Sequence, residues 1–387
     1  MHKIKTYNNI SDKGLSRLPA DQYEVSETMD NADAIMLRSA KLHDEPIADS
    51  VRAVGRAGAG VNNIPVDKMS ERGIVVFNAP GANANAVKEL VIVGMLMAAR
   101  NICDAWRYSE NLEGSESDVS KAVEAGKKQY VGFELPGRTL GVIGLGAIGV
   151  EVANAAVALG MNVIGFDPTI TIKRAWQLSA DVKEMDTAEA LLNECDFVTF
   201  HVPLITSTKH LLNAERLSTM KDGVVVLNFA RDGIVDDDAV LAGIDSGKVY
   251  AYISDFPSPK LKGKKQVYTL PHLGASTCEA EDNCAVMIAD QLRDFLENGH
   301  IKNAVNFPDV KLARKGQNRL AIANMNRPDM VAQISHVLGQ ANVNILHMIN
   351  DSRGELAYTL IDIESPLSAE NIASLAAVDG VLSVRAL

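Results

Sequence analysis

Several patterns that define common classes of protein are absent from this sequence. Its four cysteines form no C-x-x-C pair and no zinc-ligand spacing, so we expect reduced thiols and no metal site. Its most apolar run, Leu90 to Ala99, is about half as long as a membrane-spanning helix. The first ten residues, MHKIKTYNNI, contain no apolar signal core. These absences predict a cytoplasmic protein that does not bind a membrane.

An excess of basic residues is missing as well. The chain has 38 Lys and Arg against 49 Asp and Glu, which gives a formal net charge of -11. Nucleic acids and anionic membranes are bound mainly by basic surfaces, so neither is expected as the main partner. A small anionic substrate would then depend on local basic residues.

The length of 387 residues predicts two or three domains. Short apolar runs alternate with helical stretches along most of the chain, which is typical of βα units in a parallel sheet. We therefore predict an α/β fold with two doubly wound, Rossmann-like lobes and a cleft between them. The predicted substrate-binding lobe comprises residues 1–95 and 284–310, and the predicted nucleotide-binding lobe comprises residues 96–283.

The C-terminal part of the sequence has a different pattern. The segment ARKGQNR, residues 313–319, is polar and contains glycine, so we expect a linker there. Residues 318–387 then contain strand, helix, strand, strand, helix and strand, which predicts a βαββαβ module. Upstream, the helical stretch at residues 86–102 is apolar nearly all round, which indicates burial between domains or subunits and predicts a homodimer or homotetramer.

A glycine-rich turn carries the clearest functional signal. Gly144, Gly146 and Gly149 lie between the strand TLGVIG and the helix AIGVEVANAAVALG, which is the context that dinucleotide binding requires. The first glycine permits the turn, the second lets the backbone approach a pyrophosphate, and the third lets the helix pack closely. Asp167 ends the next strand, where a carboxylate would accept the ribose hydroxyls and favour NAD over NADP. The alternative is a glycine-rich turn without a ligand.

Two further loops carry polar residues directly after strands, where open α/β sheets bind ligands. Arg231 lies in VVVLNFARDGIVDDDAV, and its planar fork suits a substrate carboxylate. His272 lies in YTLPHLGAST, and its unperturbed pKa suits proton transfer near neutral pH. Reduction of a 2-oxo acid requires such a pair. Taken alone, an arginine in a loop is more often a solvated charge, and a histidine after proline is more often structural.

These segments together resemble the D-isomer-specific 2-hydroxyacid dehydrogenases over almost all of residues 1–305. The resemblance implies an NAD-dependent enzyme in which Arg231 binds substrate and His272 exchanges the proton. It also implies that Asp255 contacts the nicotinamide carboxamide. We assign to the same cofactor site Ala147, Ile148, His201, Val202, Pro203, Ala230 and Gly274.

One departure from the family pattern concerns the histidine. The family has a glutamate after the arginine that orients the histidine, within a D-V-x-x-x-E-P-like stretch. Here the stretch reads SDFPSPKLKGKK, with Lys260 at that position. Either a neighbouring carboxylate substitutes for the glutamate or the pair is incomplete and turnover is impaired. The candidate substitutes are Asp255, Glu279 and Glu281.

Other stretches resemble those family members that act on 3-phospho-D-glycerate. They include IMLRSAK, VGRAGAGVNNI, FNAPGANANAVKEL and PHLGAST. A substrate with a carboxylate and a phosphate needs additional cations, for which Arg38 and Arg56 are candidates. We assign Ser39, Ala57 and Gly58 to the same substrate site, because glycine-rich loops expose backbone N–H groups to anions. Arg38 and Arg56 in interdomain salt bridges are the alternative.

The C-terminal segment IANMNRPDMVAQISHVLGQANVNILHM resembles an ACT domain. The resemblance implies a possible L-serine effector held by Asn326 and Asn344, although Asn324 and Asp329 depart from the usual pattern. A purely assembling role is the alternative. For the whole chain, the expected activity is NAD-dependent oxidation of 3-phospho-D-glycerate in serine biosynthesis. The alternatives are a dehydrogenase of the glyoxylate or hydroxypyruvate type and a catalytically weakened NAD-binding regulator.

Overall fold

The computed structural model describes all 387 residues, Met1–Leu387. The chain forms two compact units. The first unit comprises Met1–Asn83 and Cys278–Leu387, and the second unit comprises Ala84–Thr277. None of the helices has both the length and the apolar content needed to cross a membrane.

The secondary-structure elements are numbered here in chain order. The strands are β1 (His2–Tyr7), β2 (Tyr23–Ser26), β3 (Ala34–Leu37), β4 (Ala53–Arg56), β5 (Val75–Phe77), β6 (Thr139–Ile143), β7 (Asn162–Phe166), β8 (Val182–Glu184), β9 (Phe197–Phe200), β10 (Val224–Asn228), β11 (Val249–Ser254), β12 (Val267–Thr269), β13 (Asn318–Met325), β14 (Ile345–Arg353), β15 (Leu356–Ile363) and β16 (Val381–Ala386). The helices are α1 (Asp12–Leu15), α2 (Val66–Glu71), α3 (Ala84–Ala99), α4 (Ile102–Glu110), α5 (Glu116–Gly126), α6 (Ala147–Ala158), α7 (Ile172–Ala175), α8 (Ala188–Glu194), α9 (Ala214–Thr219), α10 (Asp237–Asp245), α11 (Cys278–Asn298), α12 (Met330–Gln340) and α13 (Ala369–Ala376).

The first unit contains a five-stranded parallel sheet in the order β2-β1-β3-β4-β5. All four residues of β3, Ala34–Leu37, are buried, as expected for a parallel strand covered on both faces. Alternate β3 residues contribute to two hydrophobic clusters, with Ala34 and Met36 in one and Ile35 and Leu37 in the other. The alternation of side chains along a strand explains this division.

The second unit contains a seven-stranded parallel sheet in the order β12-β11-β10-β9-β6-β7-β8. The strand order reverses between β6 and β9, and ligands of doubly wound folds bind at this switch point. Helices α3 and α6 share one hydrophobic cluster on the sheet, and α8, α9 and α10 contribute to a second cluster. The prediction of Rossmann-like parallel sheets is confirmed.

The unit boundaries differ from the predicted lobe boundaries at both crossings. Helix α3 packs against α6, β10 and β11, so all of it belongs to the second unit. Helix α11 packs against α1 and the strands of the first unit, so all of it belongs there. A helix packs as one rigid element, and the division therefore falls just before α3 and just before α11 rather than inside them.

The C-terminal module has the predicted βαββαβ order, with an antiparallel sheet β14-β15-β13-β16. One face of this sheet packs with α12 and α13 around Ile322, Ile334 and Ile361. The other face contributes Ala323 and Tyr358 to the large cluster that also contains α11. The module is therefore continuous with the core of the first unit.

The predicted linker at residues 313–319 was wrong at its end, because Asn318 and Arg319 belong to β13. Arg319 is only 1% exposed and forms an ion pair with Asp362, with 2.6 Å between Nε and Oδ1. Burial alone would raise the pKa of Asp362, but hydrogen bonds from Arg319 and the Lys315 N–H lower it below its usual value. The polar segment thus ends in a buried ion pair.

Candidate active site

The glycine-rich turn follows β6 and leads into α6. Gly144 has φ +93°, a conformation that favours glycine. A Cβ atom on Gly149 would lie 1.9 Å from the carbonyl oxygen of Gly144, so α6 and the turn require a hydrogen atom there. A Cβ atom on Gly146 would meet nothing within 4 Å. Gly144 and Gly149 therefore shape the turn, whereas Gly146 leaves open space next to the N-terminal residues Ala147 and Ile148 of α6.

Asp167 follows β7 and is half-buried. Its Oδ2 accepts a hydrogen bond of 2.8 Å from the Leu145 N–H, and its Oδ1 accepts one from the Thr169 N–H. The carboxylate is thereby fixed directly at the glycine-rich turn, next to the predicted pyrophosphate position. Recognition of ribose by this carboxylate stays a prediction.

His201, at the end of β9, lies across the switch point from the turn. Its Nε2 is 3.0 Å from the Thr199 hydroxyl, while its buried Nδ1 has no hydrogen-bond partner. Burial lowers the pKa of His201 to about 3, so the ring is neutral at pH 7. The His201 carbonyl oxygen and the Val202 side chain border Gly144, and Pro203 follows them in the chain. These residues form the other wall of the turn.

The loops after β10, β11 and β12 lie side by side, because these three strands are parallel neighbours. The Asp255 N–H donates to the Asn228 carbonyl at 3.0 Å, and the His272 N–H donates to the Asp255 carbonyl at 3.1 Å. These bonds tie the three strand ends together. Arg231, Asp255 and His272 are therefore on the same edge of the sheet as the glycine-rich turn.

Arg231 is exposed, and its backbone is fixed. The side chain of buried Asn228 donates from Nδ2 to the Arg231 carbonyl at 3.0 Å and accepts from the Ala230 N–H. The Arg231 guanidinium donates one bond, from Nη1 to the Ala230 carbonyl at 2.6 Å. Most of its N–H groups therefore remain available to a carboxylate, which a guanidinium binds in two places.

Asp255 is buried, with 1% exposure. Its two oxygens accept the N–H groups of Leu273 at 2.7 Å and Gly274 at 2.8 Å. Burial raises the pKa of Asp255, and these hydrogen bonds oppose that change. Asp255 therefore positions the loop at 272–274. Its predicted contact with a nicotinamide carboxamide stays a prediction.

His272 is exposed and has φ +56°. Its ring packs edge-on against Phe256, with 5.1 Å between ring centroids. Asp255 interacts with it electrostatically, but both Asp255 oxygens are already bonded to backbone N–H groups. The imidazole is therefore positioned by its backbone and by Phe256 rather than by a hydrogen-bonded carboxylate.

The other carboxylates proposed as substitutes differ in their contacts. Lys260, at the position of the family glutamate, pairs with Asp238 at 2.7 Å. Glu281 pairs with Arg38 at 2.7 Å within the first unit, and Glu279 is exposed. Of these candidates, Asp255 is the one bound to the His272 loop, through the N–H groups of Leu273 and Gly274.

The predicted substrate residues of the first unit cluster at the carboxyl ends of β3 and β4. The Arg56 guanidinium donates from Nε to the Arg38 carbonyl at 3.0 Å and also bonds the Gly60 carbonyl. The Ala57 N–H donates to the Leu37 carbonyl at 2.7 Å, and Gly58 lies against the Arg56 guanidinium. Arg56 therefore shapes this loop, and Arg38 presents its charge beside it.

Two asparagines that fix these loops were missed in the sequence. Asn8 accepts the Ser39 N–H at 3.1 Å and the Ala40 N–H at 2.7 Å through Oδ1. Asn228 holds the Arg231 loop in a similar way. Both asparagines lie at or just after the end of a parallel strand, Asn8 after β1 and Asn228 at the end of β10. A polar side chain at that position was the available signal.

The two predicted effector residues lie at opposite ends of the C-terminal sheet. Asn326 follows β13 at the end where Met325 pairs with Leu356. Asn344 precedes β14 at the other end, where Ile345 pairs with Ile363. Eight residues of strand separate these ends by roughly 25 Å. One chain therefore does not bring the two asparagines together, and an effector held by both of them stays a prediction.

Comparison with known proteins identifies the family. Residues 92–275 match the family model described as D-isomer specific 2-hydroxyacid dehydrogenase, NAD binding domain. The D-3-phosphoglycerate dehydrogenase of Haemophilus influenzae is 32% identical over 383 residues, which cover 95% of this chain and 89% of that protein. The chain belongs to the D-isomer specific 2-hydroxyacid dehydrogenase family.

Two further relatives differ from this chain in length and in sequence. The D-3-phosphoglycerate dehydrogenase of Methanocaldococcus jannaschii is 34% identical over 88% of this chain, but the chain spans only 63% of that protein. The crystal structure of NAD+-bound 3-phosphoglycerate dehydrogenase from Entamoeba histolytica superimposes with a TM-score of 0.61 at 26% identity. That match covers 79% of this chain and 98% of the other.

The second unit contains the whole segment that matches the family's NAD binding domain. The residues present fit the cofactor on two observations. The space beside Gly146 is open to a pyrophosphate, and the buried Nδ1 of His201 has no protein partner. Gly146, Asp167 and His201 are the residues that would hold NAD.

Replacing Gly146 by alanine is expected to weaken NADH binding about tenfold or more, equivalent to at least ~1.4 kcal/mol. The added methyl group meets no protein atom, and φ -72° suits any residue, so the melting temperature should not change. Fluorescence titration with NADH measures the effect. Gly149→Ala is the comparison, because its methyl group would overlap the Gly144 carbonyl and should lower the melting temperature. Unchanged NADH affinity in Gly146→Ala would contradict the assignment.

Proposed function

We propose that this chain oxidises 3-phospho-D-glycerate to 3-phosphooxypyruvate with NAD, the first step of L-serine biosynthesis. The observation that carries the proposal is the placement of Arg231 and His272 in the loops after β10 and β12, the two strands that flank β11, at the same sheet edge as the glycine-rich turn. A guanidinium and an imidazole at such an edge suit the conversion of a 2-hydroxy acid to a 2-oxo acid.

The residues divide the chemistry between them. NAD, when bound, would supply the acceptor for the hydride that leaves substrate carbon 2. Arg231 pairs with the substrate carboxylate and draws electron density from the adjacent carbon-oxygen bond. His272 takes the hydroxyl proton during oxidation and returns it to the carbonyl oxygen during reduction. The buried charge of Asp255 stabilises the imidazolium that forms.

The substrate phosphate requires a cation beyond Arg231. Arg38 is the first candidate, because its guanidinium is 36% exposed and paired with the equally accessible Glu281. Such a surface ion pair contributes little to stability, so a phosphate can replace the carboxylate at small cost. The backbone N–H groups of the loop after Arg56 are the proposed donors to the carboxylate end of the substrate.

A substrate panel tests this proposal. NADH oxidation should be measured with phosphohydroxypyruvate, hydroxypyruvate, glyoxylate and pyruvate. The phosphorylated substrate is expected to have a kcat/KM about 10- to 100-fold higher, because a charge-assisted contact is worth about 1.5–3 kcal/mol. Arg38→Gln should remove most of that preference. Arg72→Gln is the matched control, because Arg72 pairs with Asp49 at the same 36% exposure and has no proposed substrate role.

Equal kcat/KM values for phosphorylated and plain substrates would overturn the phosphoglycerate assignment. They would support a dehydrogenase of the glyoxylate or hydroxypyruvate type. The pairing of Lys260 with Asp238 favours a second candidate, a catalytically weakened NAD-binding regulator. NADH binding without oxidation by any of the four substrates is the result expected for that regulator.

The assembly and the effector are further parts of the proposal, as is a cytoplasmic location. Helix α4 has no buried residue, and Trp106 and Val131 are 64% and 74% exposed. Exposed apolar residues of this size favour a homodimer or homotetramer. Because Asn326 and Asn344 lie at opposite ends of one sheet, an L-serine effector held by both would require two copies of the module.

A further inference from the structure

A cleft of about 580 Å³ runs along α11 in the first unit. Its volume lies in the range of sites that bind small metabolites. One side is formed by α11, and the other side is formed by the turn at 81–82 and the segment 300–303. None of its lining residues is among the residues assigned above to substrate, cofactor or effector.

Gln291 is the unusual residue of this cleft. It is only 7% exposed, and neither its Oε1 nor its Nε2 has a hydrogen-bond partner. Buried polar side chains in folded proteins nearly always have partners. A buried amide with both its donor and its acceptor unused therefore indicates an occupant that both accepts and donates hydrogen bonds.

Charged groups of both signs accompany Gln291. Asp294 uses Oδ1 to accept bonds from Asn298 and His300 at 2.9 and 3.0 Å, which leaves Oδ2 for a ligand. Lys302 is exposed and lies on the opposite side of the cleft from the helix. Asp290 is already paired with Arg17 at 2.8 Å. The cleft thus offers one available carboxylate oxygen and one ammonium group.

We propose that this cleft binds a free α-amino acid. The ligand ammonium group would bond Asp294 and the Gln291 Oε1, and the ligand carboxylate would bond Lys302 and the Gln291 Nε2. Val286 and Met287 supply apolar surface for the ligand side chain. A zwitterion would pair with both the Asp294 carboxylate and the Lys302 ammonium group, and it would bond both amide atoms of Gln291. A simple anion would leave Asp294 and the Gln291 Oε1 without a partner, and a simple cation would leave Lys302 and the Gln291 Nε2 without one.

The cleft is linked by hydrogen bonds to the C-terminal module. His300, which lines it, is 3.0 Å from the Leu312 carbonyl through Nε2. The same carbonyl accepts a bond of 2.9 Å from Arg319 Nη2, and Arg319 pairs with Asp362 of the module. An amino acid in the cleft would therefore stabilise a continuous part of the first unit, and thermal denaturation should report its binding.

Binding should be measured on the full chain without substrate, so that the result does not depend on the proposed activity. Each of the twenty L-amino acids, L-serine included, is titrated by calorimetry and by thermal denaturation. At least one is expected to bind with a stoichiometry of one per chain. Gln291→Met should weaken that binding about tenfold or more. Without ligand, Gln291→Met should raise the melting temperature, because an unbonded buried amide is replaced by an apolar chain of similar length.

Gln333→Met is the matched control, because Gln333 is a half-buried helical glutamine outside the cleft. It should change neither binding nor melting temperature. Lys302→Gln, a change at an exposed position, provides a second variant that should weaken binding without a folding defect. Absence of binding by every amino acid at about 10 mM would overturn the proposal. Loss of binding in Asn326→Ala or Asn344→Ala, with Gln291→Met unaffected, would overturn it in favour of the C-terminal module.

Discussion

Replacing His272 by asparagine is expected to lower kcat about 10²- to 10⁴-fold, the usual contribution of a positioned acid or base. Asparagine cannot take up the hydroxyl proton, but it tolerates the left-handed backbone conformation that His272 adopts with φ +56°. The affinity for NADH should stay unchanged, because the change lies outside the glycine-rich turn. Steady-state NADH oxidation with phosphohydroxypyruvate gives kcat, and fluorescence titration gives the affinity.

His210→Asn is the matched control for this experiment. His210 is also exposed and has φ +49°, so both variants place asparagine in the same backbone conformation. Of these two histidines, only His272 lies in a loop at the carboxyl ends of β10 to β12, where Arg231 also lies. A His272→Asn protein with wild-type kcat would show that another group exchanges the proton. A wild-type protein without turnover would instead support the regulator.

The missing family glutamate changes what positions His272. With Lys260 bound to Asp238, the loop is held by Asp255, which accepts the N–H groups of both residues that follow His272. Phe256 then limits the rotation of the ring. The orientation that a glutamate supplies directly to the imidazole is supplied here through the backbone.

The sequence predicted the strands and helices of the second unit well. There, the residues that suit the local backbone conformation are also the residues that packing in the fold requires. The strand TLGVI is apolar and buried from Leu140 onward. The glycines that follow it are needed for φ +93° at Gly144 and for the close approach at Gly149. The positions of Arg231 and His272 could be predicted for the same reason, because each lies in a loop that follows a predicted strand. Each of these features depends on residues that are near neighbours in the chain.

Features that depend on distant partners could not be predicted in this way. Helix α5 was not predicted as a helix, and of its residues only Gly126 is buried. Arg319 was interpreted as part of a linker, because the segment ARKGQNR is polar and contains glycine. Its partner Asp362 lies 43 residues further along and meets it only in the folded sheet. The unbonded amide of Gln291 likewise has no signature in the helical pattern around it.

Replacing Asp362 by asparagine is expected to reduce the free energy of unfolding of the first unit by about 3–5 kcal/mol. The Arg319 side chain is fully buried, so its charge would remain in the core without a carboxylate. Because the pKa of Asp362 is lowered in the folded state, the contribution is complete above the unfolded pKa of about 4. It is lost as the pH falls through the folded value. Urea unfolding at pH 7 measures the change.

Asp379→Asn is the control, because Asp379 is 95% exposed in its pair with Arg327 and should change the stability by less than about 1 kcal/mol. The double variant Arg319→Met with Asp362→Leu tests the cause. If the loss in Asp362→Asn comes from an unpaired buried charge, removal of both charges should restore most of the stability, since apolar replacement of a buried pair is often neutral. A double variant as unstable as Asp362→Asn would show that the loss comes from packing or from the other hydrogen bonds of Arg319.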